Sequence, residues 1–150
     1  MRYAVDVMSE WGRQHGASAT LAAVYIEEAH ATDEWPISSQ RESRAAAPVA
    51  IPQHKTLGDR EAAARDFVGA YKVDAALTPV FLDTIENTFQ TTYAAWPLRW
   101  YVFALGGADG ATPIVANIGV PEEASFDLTI LDKILVRGGG GGGGGGMRGP

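Results

Sequence analysis

The residue types best suited to proton transfer are concentrated in residues 25–33 of the chain. This segment contains Tyr25, the carboxylates of Glu27 and Glu28, and the imidazole of His30. A carboxylate beside an imidazole orients the ring and raises its pKa, which suits a proton shuttle. If the backbone stays extended, Glu28 and His30 project from one face and Glu27 projects from the other. The alternative interpretation is a solvated strand end that carries an ordinary surface histidine.

A second candidate, His54, lies shortly before a predicted helix. As a site residue it could donate a hydrogen bond to an anionic or phenolic group near the helix N-terminus. The alternative is an ordinary loop histidine. A metal site built from His30, His54, Glu28 and Asp33 is disfavoured, because the i, i+3 or i, i+4 spacing typical of helical metal ligands is missing. We therefore expect no bound metal or cofactor.

Aromatic side chains are frequent in residues 93–101, where Tyr93, Trp96, Trp100 and Tyr101 occur within nine positions. Most members of such a group belong to a core, but one or two can form the wall of a pocket for an aromatic substrate. Trp96 is our candidate for substrate binding. The sequence contains no phosphate-binding glycine motif and no Ser-His-Asp order.

Composition limits the chemistry further. The 150 residues include no cysteine, which excludes disulfides, cysteine–zinc sites and a thiol nucleophile within them. Twelve basic and 18 acidic residues give a net charge of −6, which argues against nucleic-acid binding. Hydrophobic residues at 46% are enough for the core of one soluble globular domain. No apolar run approaches the roughly 18–20 residues of a membrane helix, and the N-terminus does not resemble a signal peptide.

The folded domain is expected over residues 1–137. Residues 138–146 are nine consecutive glycines, so we expect residues 138–150 to form a disordered, glycine-rich tail. The polar stretch over residues 29–52 is too long for an ordinary connection and indicates a functional or irregular loop.

Hydrophobic spacing, capping signals and turn residues predict helices and strands in alternation. In chain order these are a helix ending near Gly16, a buried strand over 21–26, a helix beginning at a capping box over 56–59 and reaching Tyr71, a strand over 79–82, a hairpin with strands over 100–105 and 112–118, and a helix from Pro121 to Leu135.

The resulting order, α-β-α-β-β-α, indicates an α/β protein. It matches a thioredoxin-like fold lacking its first strand, because the chain begins with the helix of a βα unit. Such folds place a cis-proline against their redox centre. Pro79 could be that residue, or it could be an ordinary proline at the start of a strand.

Two segments carry a resemblance to a known family. Residues 25–35 read Y-I-E-E-A-H-A-T-D-E-W, and residues 51–60 read I-P-Q-H-K-T-L-G-D-R. These are similar to the Y-I-E-E-A-H-x-S-D-G-W and I-P-Q-H-R-S-L-x-D-R motifs of the iodothyronine deiodinases. Residues 79–84, Asn87, Tyr93 and residues 99–102 follow the family pattern as well, and residues 119–123 do so more loosely.

The resemblance implies a thioredoxin-fold selenoenzyme that removes iodine reductively from thyroid-hormone-like iodinated aromatics. A selenolate attacks iodine, the ring carbon takes a proton, and a thiol reductant acts as cosubstrate. By position, His30 belongs to the proton path with Glu28 and Tyr25, and His54 contacts the iodothyronine. Family members are usually homodimers anchored to a membrane through an N-terminal helix, and the resemblance implies the same for the parent protein. The acidic net charge adds the expectation of no nucleic-acid partner.

Three departures from the family pattern affect these expectations. The loop between His30 and His54 carries extra residues, Asn117 to Gly119 replace a basic substrate contact, and the selenocysteine or its cysteine replacement is missing. By motif spacing the nucleophile belongs a few residues before Met1, which suggests a reading frame begun after a selenocysteine codon. We therefore expect the chain as written to be inactive and poorly folded. The alternatives are a thioredoxin-like peroxide or disulfide redox enzyme and a non-catalytic binding module.

Overall fold

The computed structural model describes residues 2–36, 51–103, 114–119 and 132–133. Within these residues the chain is of mixed helix and strand type, which confirms the α/β class in its general form. The elements in chain order are α1 (Arg2–His15), β1 (Ala23–Tyr25), α2 (Leu57–Tyr71), β2 (Val80–Leu82), α3 (Thr88–Tyr93), β3 (Arg99–Phe103) and β4 (Ile114–Gly119).

Helix α1 follows the predicted spacing of apolar residues and ends at His15, directly before Gly16. Its side chain Trp11 forms a buried cluster with Leu21. Val7 and Met8 from the same helix and Trp100 and Val102 from β3 pack against that cluster, with Ala19 completing it. The apolar stripe of α1 therefore packs on one face of the second sheet.

Strands β1 and β2 form a parallel pair in which Ala23 faces Val80 and Tyr25 faces Leu82. The predicted strand over 21–26 is thus shorter than expected, with three residues, and it is half-buried rather than buried. Because the strands are parallel, their carboxyl ends meet at the same edge of the sheet. The peptide bond before Pro79 is trans, so the interpretation of Pro79 as an ordinary proline before a strand is correct.

Helix α2 begins where the capping box predicted. The hydroxyl of Thr56 accepts a hydrogen bond from the backbone N–H of Asp59 at 3.1 Å, and the Asp59 carboxylate accepts one from the backbone N–H of Thr56 at 2.8 Å. Lys72, in the left-handed region with φ of 53°, ends the helix. The buried face of α2 consists of Arg60, Ala63 and Ala64, which share one side of the helix at i, i+3 and i+4.

Helix α3 was not predicted from the sequence. It has six residues, and the carboxylate that satisfies its first amides belongs to Asp83, five residues before the helix begins. Asp83 accepts hydrogen bonds from the backbone N–H groups of Phe89 at 2.8 Å and Gln90 at 2.9 Å. A helix this short depends on tertiary contacts, so spacing alone does not indicate it.

Strands β3 and β4 pair in antiparallel fashion from Arg99 opposite Gly119 to Phe103 opposite Ile114, which confirms the two hairpin strands. Their turn, most of the long polar loop, the last helix except for residues 132–133, and the glycine-rich tail lie outside the described residues. No helix within the described ranges is both long enough and apolar enough to cross a membrane.

Candidate active site

The predicted site residues Tyr25, Glu28 and His54 come together at the carboxyl edge of the parallel pair. Tyr25 is the last residue of β1, Asp83 follows β2, and α2 begins at the same edge. Ligands of α/β proteins commonly bind at this edge, because the loops after parallel strands and the helix N-termini converge there.

Tyr25 donates its phenolic hydrogen to Oε1 of Glu28. Its ring contacts two others, with centroid distances of 5.9 Å to His54 and 5.9 Å to Phe67. Burial raises the pKa of Tyr25 far above its ordinary value, and the hydrogen bond to the Glu28 carboxylate raises it further. Tyr25 therefore remains a neutral phenol that donates to Glu28 throughout the physiological range.

Gln53 joins the two sequence motifs that carry these residues. Its side-chain oxygen accepts from the backbone N–H of Glu28, and its side-chain nitrogen donates to the carbonyl of Glu28, both at 3.2 Å. The backbone N–H of Gln53 donates to the carboxylate of Asp33 at 2.7 Å. That hydrogen bond holds the pKa of Asp33 below its usual range. Gln53 thus fixes the residues after β1 against the segment that enters α2.

His54 is 7% exposed. Its Nδ1 accepts a hydrogen bond from Nε of Arg60 at 3.4 Å, whereas its buried Nε2 has no hydrogen-bond partner among the described residues. Burial lowers the pKa of His54, and the charge of Arg60 adds to this effect, while the carboxylate of Glu28 opposes it. The imidazole is therefore neutral at physiological pH and carries a buried polar atom with unused hydrogen-bonding capacity.

The two glutamates after β1 have different partners. Glu28 binds Tyr25, whereas the carboxylate of Glu27 accepts from Nδ2 of Asn87 at 2.8 Å and from the side-chain amide of Gln90. Glu27 therefore links the end of β1 to α3, and Glu28 is the carboxylate that faces the Tyr25 and His54 rings.

The other two predicted site residues lie elsewhere. The strand ends at Tyr25 and the chain turns at residues 29–30, so the expectation that Glu28 and His30 share an extended face is wrong. His30 is exposed and forms no hydrogen bond to the residues that the structure describes. Trp96 is 39% exposed, and no ring contact or hydrogen bond joins it to Tyr25 or His54.

Sequence reasoning assigned no role to Gln53 or Arg60. A signal for Arg60 was present, because it occupies the same helix face as Ala63, Ala64 and Phe67 at i, i+3, i+4 and i+7. A charged residue on an apolar stripe indicates a buried partner. No comparable signal identified the role of Gln53, since the partners that give it this role, Asp33 and Glu28, lie 20 and 25 positions away.

Within the described residues, no group of three or more histidine, cysteine, aspartate or glutamate side chains could hold a metal ion. The arrangement can instead transfer protons through Tyr25 and Glu28 and can offer one imidazole nitrogen to a ligand.

Comparisons with a family model and with individual proteins identify the same family. A family model described as iodothyronine deiodinase matches residues 11–111. The chain is 35% identical over 88 residues to a type I iodothyronine deiodinase of Xenopus laevis, and this aligned segment covers 59% of this chain and 30% of that protein. It is 36% identical over 83 residues to a thyroxine 5-deiodinase of Sus scrofa and, likewise, to that of Homo sapiens, covering 55% of this chain and 24% of each. The match thus spans less than a third of the length of these relatives. No solved structure matches the chain.

Proposed function

This chain belongs to the iodothyronine deiodinase family, and we propose that it carries the proton-transfer and substrate-contact residues for reductive removal of iodine from an iodothyronine-like aromatic. The observation that supports this most directly is His54, a buried and neutral imidazole next to the Tyr25–Glu28 pair, whose Nε2 has no hydrogen-bond partner among the described residues. Together these groups combine one ligand-binding atom with one proton-transfer pair.

His54 binds the substrate in this proposal. A buried polar nitrogen without a partner costs about 1–3 kcal/mol, and a ligand oxygen that accepts from it recovers that cost. The phenol, ether and carboxylate oxygens of an iodothyronine are suitable acceptors. A neutral imidazole suits this role because it donates without adding a second cation beside Arg60.

Tyr25 and Glu28 supply the proton path. Glu28 accepts the hydroxyl hydrogen of Tyr25, so when the Tyr25 oxygen takes up a proton, the phenol can pass its own hydrogen to the carboxylate along this hydrogen bond. In this proposal His30, which is exposed, is the group at which the proton path meets solvent. Trp96 forms part of the aromatic wall when the substrate is bound.

The reductive step needs a nucleophile and electrons. Attack of a selenolate or thiolate on iodine breaks the carbon–iodine bond, leaves the electron pair on the ring carbon, and that carbon takes the proton. Two thiols then reduce the selenenyl or sulfenyl iodide, releasing iodide and forming a disulfide. Residues 1–150 hold no cysteine, so in this proposal none of their side chains is the attacking selenolate or thiolate.

A second candidate function is binding of an iodinated aromatic without turnover. The missing cysteine favours it, because the ligand-contact residue is present while the attacking group is not. In both functions the domain has a thioredoxin-like fold, with the β1–β2 edge as the binding edge.

Titration of the purified chain with thyroxine tests the role of His54. His54→Phe retains the ring but removes the donor, and we expect about tenfold weaker binding, equivalent to one lost hydrogen bond of about 1.4 kcal/mol. His54→Gln, which places an amide nitrogen near the position of Nε2, restores part of the affinity.

The matched control is His15→Phe, since His15 lies at the end of α1 and contacts Trp11 and Asp132. It leaves thyroxine affinity unchanged. Circular dichroism verifies that each variant is folded. Failure of the unsubstituted chain to bind thyroxine, or equal affinity of the chain and its His54→Phe variant, contradicts the proposal.

A further inference from the structure

Arg60 is the most deeply buried charged residue of the described part of the chain, with 1% of its surface exposed. A buried guanidinium is costly unless its N–H groups are bonded. Nη1 donates to the backbone carbonyls of Asp83, at 3.3 Å, and Thr84. Nη2 donates to Oδ1 of Asn87 at 2.8 Å. Of the donors that remain, Nε–H is directed at Nδ1 of His54.

This last contact determines the state of the imidazole. A guanidinium has five N–H donors, accepts no hydrogen bond and does not lose its charge in proteins. Nδ1 of His54, 3.4 Å from Nε of Arg60, must therefore present its lone pair. In a neutral imidazole one nitrogen carries the hydrogen and the other accepts, so the hydrogen of His54 is on Nε2. Nε2 is the atom without a partner among the described residues.

We infer that Arg60 is the positioning residue for His54: its Nε–H holds the imidazole in the Nε2–H tautomer, so that His54 acts on the substrate as a hydrogen-bond donor. The substrate part of this statement rests on the proposed function, whereas the tautomer does not. Arg60 touches no reacting atom and acts only through His54.

The rigidity of Arg60 strengthens this assignment. The carbonyls of Asp83 and Thr84 follow β2, and Asn87 donates in turn to Glu27 after β1. The guanidinium is therefore fixed from both parallel strands, and its planar fork leaves Nε–H one direction. The backbone of Arg60 is fixed independently of these hydrogen bonds, because Arg60 lies on the buried face of α2, which is turned toward the strand edge.

The charges around His54 make this control necessary. Glu27 and Glu28 follow β1 and Asp59 lies in the first turn of α2, and all three carboxylates favour the protonated imidazolium. Burial of the ring opposes them most strongly, and the positive charge of Arg60 adds to that opposition. Protonation at Nδ1 would also place an N–H against the N–H of Arg60. Arg60 therefore disfavours both the imidazolium and the Nδ1–H tautomer.

Nitrogen NMR of the full chain with ¹⁵N-labelled histidine tests the inference without any substrate. The chain has three histidines, and loss of one set of signals in His54→Phe assigns His54. We expect Nδ1 of His54 to resonate as an unprotonated nitrogen and Nε2 as a protonated one. In Arg60→Met, Nδ1 should gain a large share of the hydrogen, and the midpoint of the His54 titration should move to higher pH.

Arg65→Met is the matched control, because Arg65 lies on the same helix but is exposed and pairs with Glu61. It should leave the His54 signals unchanged. If Arg60→Met does not fold by circular dichroism, Arg60→Lys replaces it. A lysine ammonium can still donate to the carbonyls of Asp83 and Thr84, but a single point charge does not supply the directed donor to Nδ1.

The outcomes separate the two proposals. A protonated Nδ1 in the unsubstituted chain, or an unchanged tautomer in the folded Arg60 variant, overturns the positioning role whatever the chain binds. A tautomer change in the Arg60 variant that is absent from the Arg65→Met control supports the positioning role. Thyroxine affinity then tests the substrate part, with about a tenfold loss expected for Arg60→Met and none for Arg65→Met. A purely structural role of Arg60 changes stability without changing the tautomer of a variant that stays folded.

Discussion

Replacing Asp83 with asparagine tests whether α3 exists because one buried carboxylate caps it. Asp83 is 3% exposed, and its side chain accepts three backbone hydrogen bonds. Oδ1 accepts from Thr84 at 2.8 Å and Phe89 at 2.8 Å, and Oδ2 accepts from Gln90 at 2.9 Å. Asparagine has nearly the same volume, so Asp83→Asn changes the hydrogen bonds and the charge without opening a cavity.

The magnitude follows from these three bonds. The amide oxygen of asparagine can keep the two bonds made by Oδ1, although without the negative charge. Its amide nitrogen then faces the backbone N–H of Gln90, which loses its acceptor. Because a hydrogen bond to a charged group contributes about 1.5–3 kcal/mol, we expect Asp83→Asn to lower the free energy of unfolding by about 2–3 kcal/mol. For a domain of this size that corresponds to a fall in Tm of about 5–10 °C.

Urea unfolding followed by circular dichroism measures this change, and amide hydrogen exchange locates it. The amides of Phe89 and Gln90 should lose protection first. The control is Asp74→Asn, since the side chain of exposed Asp74 accepts a single hydrogen bond among the described residues, from the backbone N–H of Ala76 at 3.0 Å. Its cost should stay below about 0.5 kcal/mol. Equal costs for the two variants, or full protection of Phe89 and Gln90 in Asp83→Asn, would refute the capping role.

Three further predictions concern titration. Burial lowers the pKa of His54 below its ordinary value of 6.5, so the unfolded state takes up a proton first and stability falls as pH drops below about 6.5. In urea unfolding at several pH values, His54→Phe should lose less stability at low pH than the unsubstituted chain. Equal losses in the two proteins would contradict this explanation. The hydrogen bonds from Thr56 lower the pKa of Asp59, so its contribution is present above about pH 3.9 and is lost as pH falls through the folded-state value. Asp59→Asn should therefore flatten the acid limb of the thermal unfolding profile, and an unchanged limb counts against the capping box. Burial and Glu28 raise the pKa of Tyr25, so Tyr25→Phe should not reduce the tyrosinate absorbance that develops around pH 10, and loss of one tyrosine's share contradicts this.

The local elements could be predicted because their signals are local. The start of α2 depends on Thr56 and Asp59, which are three positions apart and bond each other. The stripe that includes Trp11 indicated α1, and the run that includes Tyr25 indicated β1. Helix α3 could not be predicted from local signals. Its capping carboxylate, Asp83, lies five residues before the helix rather than at its N-cap, and the side chain of Gln90 bonds Glu27, which is more than sixty positions away.

The site was only partly predictable for the same reason. Residue types and spacing indicated Tyr25, Glu28 and His54, and the structure brings all three together. The pairing of Glu28 with His30 was wrong, because the strand ends at Tyr25, before either residue, and the chain turns at residues 29–30.

By itself, the sequence determined which groups are available: an imidazole, a phenol and carboxylates, but no cysteine, in a chain whose motifs belong to the iodothyronine deiodinase family. Only the tertiary structure decided what state these groups adopt. Arg60 comes from α2, its carbonyl acceptors follow β2, and Glu28 follows β1. Which nitrogen of His54 carries the proton depends on contacts among these three segments. Burial and a fixed donor act between residues that are distant in sequence, so they leave no pattern in neighbouring residues.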